Sequence, residues 1–80
     1  MAEVEIAPRI VVNEAVHPRR PIIKGTRIPV SLILGSLGGG LSIREVAGEY
    51  ELTEADIRAA LDYARSVIED EAVFALPSQR

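Results

Sequence analysis

The chain has no cysteine, one histidine, three aromatic residues and no long apolar run among its 80 residues. Without cysteine it cannot be cross-linked by disulfides, and His17 alone cannot build an ordinary zinc site. No segment approaches the roughly 20 apolar residues of a membrane helix. The first residues do not resemble a signal peptide, because Glu3 and Glu5 interrupt them. These absences predict a protein without a membrane span or a metal cofactor, located in the cytoplasm.

Apolar residues are plentiful although aromatic residues are scarce, with 48% of the chain hydrophobic and 4% aromatic. A domain of this size buries only about 60% of the surface of its unfolded chain and is marginally stable alone. Apolar residues in excess of a small core are expected where part of the surface is kept for another chain. The composition therefore predicts a single domain that forms a homodimer.

The net charge of −3 is unevenly distributed. Residues 1–30 carry five cations against three carboxylates, and residues 31–80 carry four cations against nine carboxylates. Only the first part has the charge to face phosphate or an acidic surface. The candidate DNA-contacting residues are therefore the cations that surround a predicted hairpin, Arg19, Arg20, Lys24 and Arg27.

That hairpin lies in the run from residue 20 to residue 30. Ile22 and Ile23 read as a strand, Gly25-Thr26 as a two-residue turn in which glycine supplies a positive φ, and Arg27-Ile28 as the return strand. Pro29 suits the first turn of a helix, where its missing N–H costs nothing. Together with the β-branched residues 10–12, the hairpin predicts a short β unit over residues 6–29.

A helical region is predicted over residues 30–69. Apolar residues recur at helical spacing from Val30 until the triplet Gly38–Gly40, where glycine can supply a left-handed cap. Ser42 and Glu45 have the spacing of a capping box, and the helix that they start is expected to end near Tyr50. The sequence thus predicts two short helices separated by a glycine-rich stop.

A third, long helix is predicted after Thr53, which has Asp56 in the reciprocal capping position. With the helix before it, this helix makes a helix-turn-helix frame. Glu51 stands in the turn where glycine is usual, so it must adopt a left-handed φ or shift the turn. The long helix carries an apolar stripe that is expected to pack against the core, formed by Ile57, Leu61, Ala64, Val67 and Ile68.

Four blocks of this chain resemble the small prokaryotic proteins called domain of unknown function 433. The blocks are residues 21–28, 41–46, 52–57 and 59–64, and the likeness extends over residues 6–68. The resemblance implies a three-helix helix-turn-helix domain of the homeodomain-like kind. It also implies a VapB-type antitoxin of a prokaryotic type II toxin–antitoxin pair, which binds a PIN-like ribonuclease toxin and regulates its own promoter by binding DNA.

The local chemistry of the long helix opposes base recognition. Near its start, Arg58 is outnumbered by Glu54, Asp56 and Asp62, which repel DNA phosphates, whereas base readout uses cationic and amide side chains. DNA contact is therefore expected from the hairpin, and the alternative function is a protein-interaction adaptor that does not bind DNA. Neither a nucleophile with a base nor a metal-binding cluster is evident, so no enzymatic activity is expected.

Residues 70–80 form a C-terminal extension with two interpretations. Its apolar residues Val73, Phe74 and Leu76 either fold back and complete the core, or are ordered by binding another protein. The second interpretation makes the extension a partner-binding segment. A PIN-like nuclease has an acidic metal site, which Arg65 or Arg80 can approach with favourable charge.

Overall fold

The computed structural model describes residues 3–70, which form a three-stranded sheet followed by three helices. The elements are β1 (Glu3–Ala7), β2 (Ile10–Asn13), β3 (Pro21–Ile23), α1 (Val30–Gly38), α2 (Ile43–Tyr50) and α3 (Glu54–Asp70). The predicted short β unit and three helices, the last one long, are confirmed. Residues 71–80, which make up nearly all of the predicted C-terminal extension, lie outside the described residues. No helix within residues 3–70 is both long and apolar enough to cross a membrane.

The sheet is antiparallel in the order β1-β2-β3. The sequence predicts a β unit that starts at residue 6, whereas β1 begins at Glu3. Acidic and aliphatic residues alternate along β1 with the period of a strand, and this alternation is the local signal for the earlier start. Val12 of β2 pairs with Val4 on one side and with Pro21 on the other, so the three residues form a row across the sheet.

The predicted hairpin after β3 is only partly formed. The turn is centred on Lys24 and Gly25 instead of Gly25 and Thr26, and Gly25 has the predicted positive φ, at 82°. Residues 27–28 form no strand. The Ile28 N–H donates to the Thr26 hydroxyl at 3.0 Å, and that hydroxyl donates to the Ile23 carbonyl at 2.8 Å. Because a side chain satisfies the Ile28 N–H, the returning segment meets β3 in an isolated bridge between Ile22 and Pro29 and does not form a further strand.

The helix ends agree with the predicted capping. Gly40 has a φ of 112°, and the Leu41 N–H reaches the Ser36 carbonyl at 3.2 Å, as in a Schellman motif. Pro29 lies at the N-cap of α1, one position earlier than predicted. The capping box of Ser42 and its partner three residues later is present at the start of α2.

The turn between α2 and α3 consists of three residues, 51–53. Glu51 adopts the left-handed conformation, with φ 58° and ψ 44°, as one of the two predicted outcomes for a non-glycine residue there. The Leu52 N–H then donates to the Ala47 carbonyl at 2.8 Å and closes α2. Glu51 therefore adopts an unfavourable φ, and this conformation allows the hydrogen bond that completes the end of α2.

One apolar core joins the sheet to all three helices. Its buried members come from every layer and lie between residues 10 and 60: Ile10, Ile23, Val30, Ile33, Val46, Ala47, Ile57 and Ala60. The expectation that the α3 stripe is buried along its length is wrong: Leu61 is 37% exposed and Ile68 is 62% exposed. The 17 residues of α3 span about 25 Å, and the much shorter α1 and α2 cannot cover that length.

Candidate functional site

An open groove of about 420 Å³ lies between α1, the second half of α3 and the start of β3. Its floor and walls are mainly aliphatic. The lining residues are Arg20, Pro21, Val30, Ser31, Leu34, Tyr63, Ala64, Val67 and Ile68. The groove lies directly above the core, because Val30 belongs to both.

The groove exists because three elements meet at their ends. The core residue Ile57 sits near the start of α3, where α1 and α2 cover the helix. Beyond Ala60 this cover is incomplete, although Tyr63 still packs against the core. Val67 and Ile68 are consequently 37% and 62% exposed, on the same helical stripe as Ile57. Within residues 3–70 no element covers this part of the stripe, and an exposed apolar face at helical spacing is typical of a surface for another chain.

The polar groups at the groove are few. Arg20, Ser31 and Tyr63 are the lining residues with polar side chains, and the lining contains no carboxylate and no imidazole. Within residues 3–70 no group of three or more potential metal-ligating side chains is found. Such a lining can bury apolar side chains of a ligand, and it can place one cation beside them.

The predicted partner-binding residues are only partly described. Arg65 lies on α3 outside the groove and donates to Asp62 at 2.9 Å and to Glu69 at 2.8 Å. The hydrogen bonds that Arg65 donates to Asp62 and then to Glu69, with the negative charges of these carboxylates, raise the pKa of the Arg65 guanidinium. Both of these carboxylates already engage Arg65. The other four predicted residues, Val73, Phe74, Leu76 and Arg80, lie outside the described residues.

The predicted DNA-contacting cations flank the three-residue strand β3. Arg19 and Arg20 precede β3, whereas Lys24 and Arg27 follow it, so the two pairs lie at opposite ends of the strand. All four side chains are exposed. Arg20 lines the groove.

Lys24 is already engaged at the surface of the sheet. Its Nζ donates to Glu5 Oε1 at 3.1 Å. This hydrogen bond, together with one from the backbone N–H of Arg9, lowers the pKa of the Glu5 carboxyl. A phosphate that binds Lys24 must therefore compete with a neighbouring carboxylate, which weakens this residue as a DNA contact.

An ion pair that the sequence did not indicate connects the sheet to α3. Arg9, in the turn after β1, donates from its guanidinium to Asp56 Oδ1 at 2.9 Å, across 47 positions of sequence. Asp56 also closes the capping box of α3: it accepts from the Thr53 N–H at 3.0 Å, and its own N–H donates to the Thr53 hydroxyl at 3.1 Å. The local box was predictable from its spacing, but the long-range partner was not.

Partial burial alone raises the pKa of Asp56, but the hydrogen bonds from Thr53 and Arg9 outweigh it and lower the pKa below 3.8. A carboxyl group whose pKa is lower in the folded state than in the unfolded state stabilises the folded state at pH values above its unfolded-state pKa. This stability is lost as the pH falls through its folded-state pKa. The contribution of Asp56 is therefore complete at neutral pH and disappears in acid.

Replacing Asp56 with alanine is expected to lower the free energy of unfolding at pH 7 by about 1–2 kcal/mol, because the substitution removes the carboxylate half of the capping box and the ion pair with Arg9 together. Urea unfolding of D56A and D62A is the measurement, since Asp62 is an exposed carboxylate on the same helix. The difference in the free energy of unfolding between D56A and the unmodified chain is expected to shrink as the pH falls below about 4, the ordinary pKa of an aspartate in the unfolded chain. An equal loss in D62A, or a difference independent of pH, contradicts the assigned role.

Comparisons with known proteins are consistent with this architecture. A family model described as "Protein of unknown function (DUF433)" matches residues 10–64. The matched range contains every buried residue of the described part of the chain and ends within the α3 wall of the groove. β1 and the exposed end of α3 lie outside it.

A search of curated proteins gives no match. Among solved structures, the chain is similar to Rv2018 from Mycobacterium tuberculosis, known from an X-ray crystal structure, with a TM-score of 0.67 and 26% sequence identity. The similarity covers 76% of this chain and 30% of that one. The chain therefore spans about a third of the length of this longer protein.

Proposed function

The chain belongs to the DUF433 family, and from that premise we propose that it is the antitoxin of a prokaryotic type II toxin–antitoxin pair, which neutralises a PIN-like ribonuclease by direct binding. The groove carries this proposal, because it is an exposed apolar surface beside a core that residues 10–60 already form. The antitoxin acts as a homodimer in the cytoplasm. Its role is binding, not catalysis.

The groove supports protein binding because of its lining and its position. Val67 and Ile68 project from a preformed helix, and Val30 and Leu34 of α1 form the opposite wall. Burial of an exposed aliphatic side chain contributes about 1.5–3 kcal/mol, so a few apolar side chains of the nuclease suffice for a stable complex after the costs of association. The extension begins at the end of the same helix, which lets Val73, Phe74 and Leu76 continue this contact.

The ribonuclease encoded beside this chain's gene provides the direct test. Purified nuclease is assayed on a fluorescently labelled RNA with increasing amounts of the chain, and the mixture is analysed by size-exclusion chromatography with light scattering. We expect stoichiometric inhibition, co-elution and a mass that contains two copies of the chain. A nuclease that keeps its full activity beside an excess of folded chain contradicts the proposal.

We further propose that α2, its three-residue turn and α3 act as a helix-turn-helix frame of the homeodomain-like kind. The length of the turn and the two capped helix starts support it. DNA contact is assigned to the cations around β3, because Glu54 and Asp56 make the start of α3 acidic. Among the described residues, Asp56 pairs with a cation, Arg9, and Glu54 does not.

The alternative function, a protein-interaction adaptor that does not bind DNA, is favoured by one observation. The four candidate cations are divided between the two ends of β3, and Lys24 is engaged by Glu5. A mobility-shift assay on the chain's own promoter, with and without the nuclease, separates the two functions. Binding in either condition supports the regulator, and no binding in both supports the adaptor.

The DNA-binding proposal predicts opposite effects for two sets of substitutions. Replacing Arg20, Lys24 and Arg27 with alanine is expected to weaken promoter binding and to reduce the slope of log K against log[salt] by about one unit for each cation that no longer meets a phosphate. Replacing Glu54 and Asp62 with alanine is expected to leave binding equal or slightly stronger. Fluorescence anisotropy over a range of salt concentrations measures both.

The acidic-helix variant also serves as the control for the hairpin variant, since both alter only exposed side chains. If the substitutions at Glu54 and Asp62 abolish binding while the hairpin variant binds normally, the DNA-binding face is α3 and the assignment to the hairpin is wrong.

A further inference from the structure

β1 has a free outer edge. It pairs with β2 on one side, and no other strand of residues 3–70 pairs with its other side. A free edge offers backbone N–H and C=O groups to an added strand, and proteins commonly use such edges to bind extended segments. We call this surface the β1 edge, formed by Glu3, Val4, Glu5 and Ile6.

The hydrogen bonds around β3 establish which residues face which neighbour. The Ile23 N–H donates to the Ile28 carbonyl at 3.0 Å, so the backbone groups of Ile23 point away from β2. The direction alternates along an antiparallel strand, and the backbone groups of Ile22 therefore point toward its partner in β2, Val11.

The same alternation determines what the β1 edge presents. Because Val11 points toward β3, the next residue, Val12, points toward β1, and its partner Val4 points back toward β2. The N–H and C=O groups of Glu3 and Glu5 consequently face outward. Up to the shift in register between Glu5 and Ala7, the residues whose backbone is available at the β1 edge are thus the acidic ones.

The side chains of the β1 edge are divided between the two faces of the sheet. Val4 and Ile6 are 59% and 44% exposed. Val4 shares its face with Val12, its cross-strand partner, whereas Glu3 and Glu5 project from the opposite face. On the acidic face Glu5 is paired with Lys24 at 3.1 Å. Among residues 3–70, Glu3 accepts only a 3.5 Å hydrogen bond from the neutral Asn13 amide, so this face keeps a net negative charge. The β1 edge therefore combines an acidic face, an exposed aliphatic face and outward backbone groups.

We propose that the β1 edge binds an extended segment of a partner protein in which Lys or Arg alternates with aliphatic residues, and that this segment adds to the sheet as a fourth, antiparallel strand. Its cations lie opposite Glu3 and Glu5, and its aliphatic residues lie beside Val4. A second copy of this chain is the wrong occupant, because antiparallel pairing of two β1 strands sets glutamates against glutamates.

The experiment is an NMR titration of the full chain, labelled with ¹⁵N, with a blocked peptide in which three lysines alternate with two valines. The amide signals of Glu3 and Glu5 are expected to shift on saturable binding. A peptide with glutamate in place of lysine is expected to bind about tenfold more weakly, since two like-charge pairs replace two opposite-charge pairs.

N-methylated peptides distinguish strand addition from simple charge attraction. In the proposed pairing the lysines hydrogen-bond to the β1 edge, while the valine N–H groups point away. Methylation of the lysine backbone nitrogens is therefore expected to abolish binding, and methylation of the valine nitrogens to leave it intact. The proposal is overturned if the two methylations weaken binding equally, or if methylation of the valine nitrogens weakens it more.

Two substitutions with the same change of charge provide the matched control. Glu3→Lys is expected to remove the preference for the lysine peptide, and Glu54→Lys, on α3, is expected to leave it unchanged. Equal losses in both variants mean that net charge attracts the peptide, and the proposal is then wrong. The proposal is also wrong if the peptide shifts mainly the amide signals of groove residues. A third contradicting result is movement of the Glu3 and Glu5 signals with protein concentration in the absence of peptide, which identifies a second copy of the chain as the occupant.

Discussion

Replacing Val67 with arginine is expected to abolish inhibition of the cognate nuclease while the domain stays folded. Val67 is 37% exposed and makes one wall of the groove, so an arginine at this position can remain in water in the free protein. In the complex the same side chain would be buried next to Arg20 without a counter-ion. Arginine is preferred to an acidic replacement, which could pair with Arg20.

The expected size of this effect follows from two losses. About 2 kcal/mol of apolar burial disappears, and burial of an unpaired charge adds a penalty of several kcal/mol. Together they weaken the complex by about a thousandfold or more. Calorimetric titration of the nuclease with the variant measures the loss, and thermal unfolding of the free variant verifies that it is folded.

Leu61→Arg is the matched control, because Leu61 lies on the same helix with the same exposed fraction of 37% but outside the groove. It is expected to inhibit the nuclease normally. If Leu61→Arg abolishes inhibition and Val67→Arg does not, the docking surface is the one that Leu61 shares with Arg58, Asp62 and Arg65, and the groove is not the docking surface.

Ending the chain at Glu69 is expected to leave the domain folded and to abolish its co-purification with the nuclease. Every buried residue of the described chain lies between Ile10 and Ala60, so the truncation removes none of them. It does remove Val73, Phe74 and Leu76, of which the last two can contribute about 3–5 kcal/mol at an interface before ordering costs.

Circular dichroism, thermal melting and affinity co-purification measure the two parts of this prediction. A full-length variant with serine at positions 73, 74 and 76 is the control for chain length and is expected to behave like the truncation. If the truncated chain unfolds, Phe74 belongs to the core. If it stays folded and still inhibits the nuclease, the extension makes no essential contact and the groove is sufficient.

Features encoded by neighbouring residues were predictable from the sequence. The box of Ser42 and Glu45 and the left-handed φ of Glu51 depend on residues within one helical turn of each other. β2 was predictable because its β-branched run is a local signal. The β1 strand was missed, although its alternation of acidic and aliphatic residues is also local.

Features that depend on distant residues were not predictable. The spacing of Thr53 and Asp56 identifies the cap but does not identify Arg9 as its second partner. Similarly, the spacing of the apolar residues from Ile57 to Ile68 predicts one apolar face of α3. It does not indicate at which residue the packing of α1 and α2 against this face becomes incomplete. The groove results from a difference in helix length, which becomes visible only when the helices are packed.

The ion pairs of Arg65 have a consequence for the entropy of binding. Arg65 bridges Asp62 and Glu69, so its contacts enclose the two turns of α3 that carry Val67 and Ile68. These turns have little tertiary support, and helical turns of this kind fray readily. By holding them helical before a partner arrives, Arg65 reduces the conformational freedom that association must remove. The residue thus assists recognition through preorganisation, without any requirement that it touch the partner.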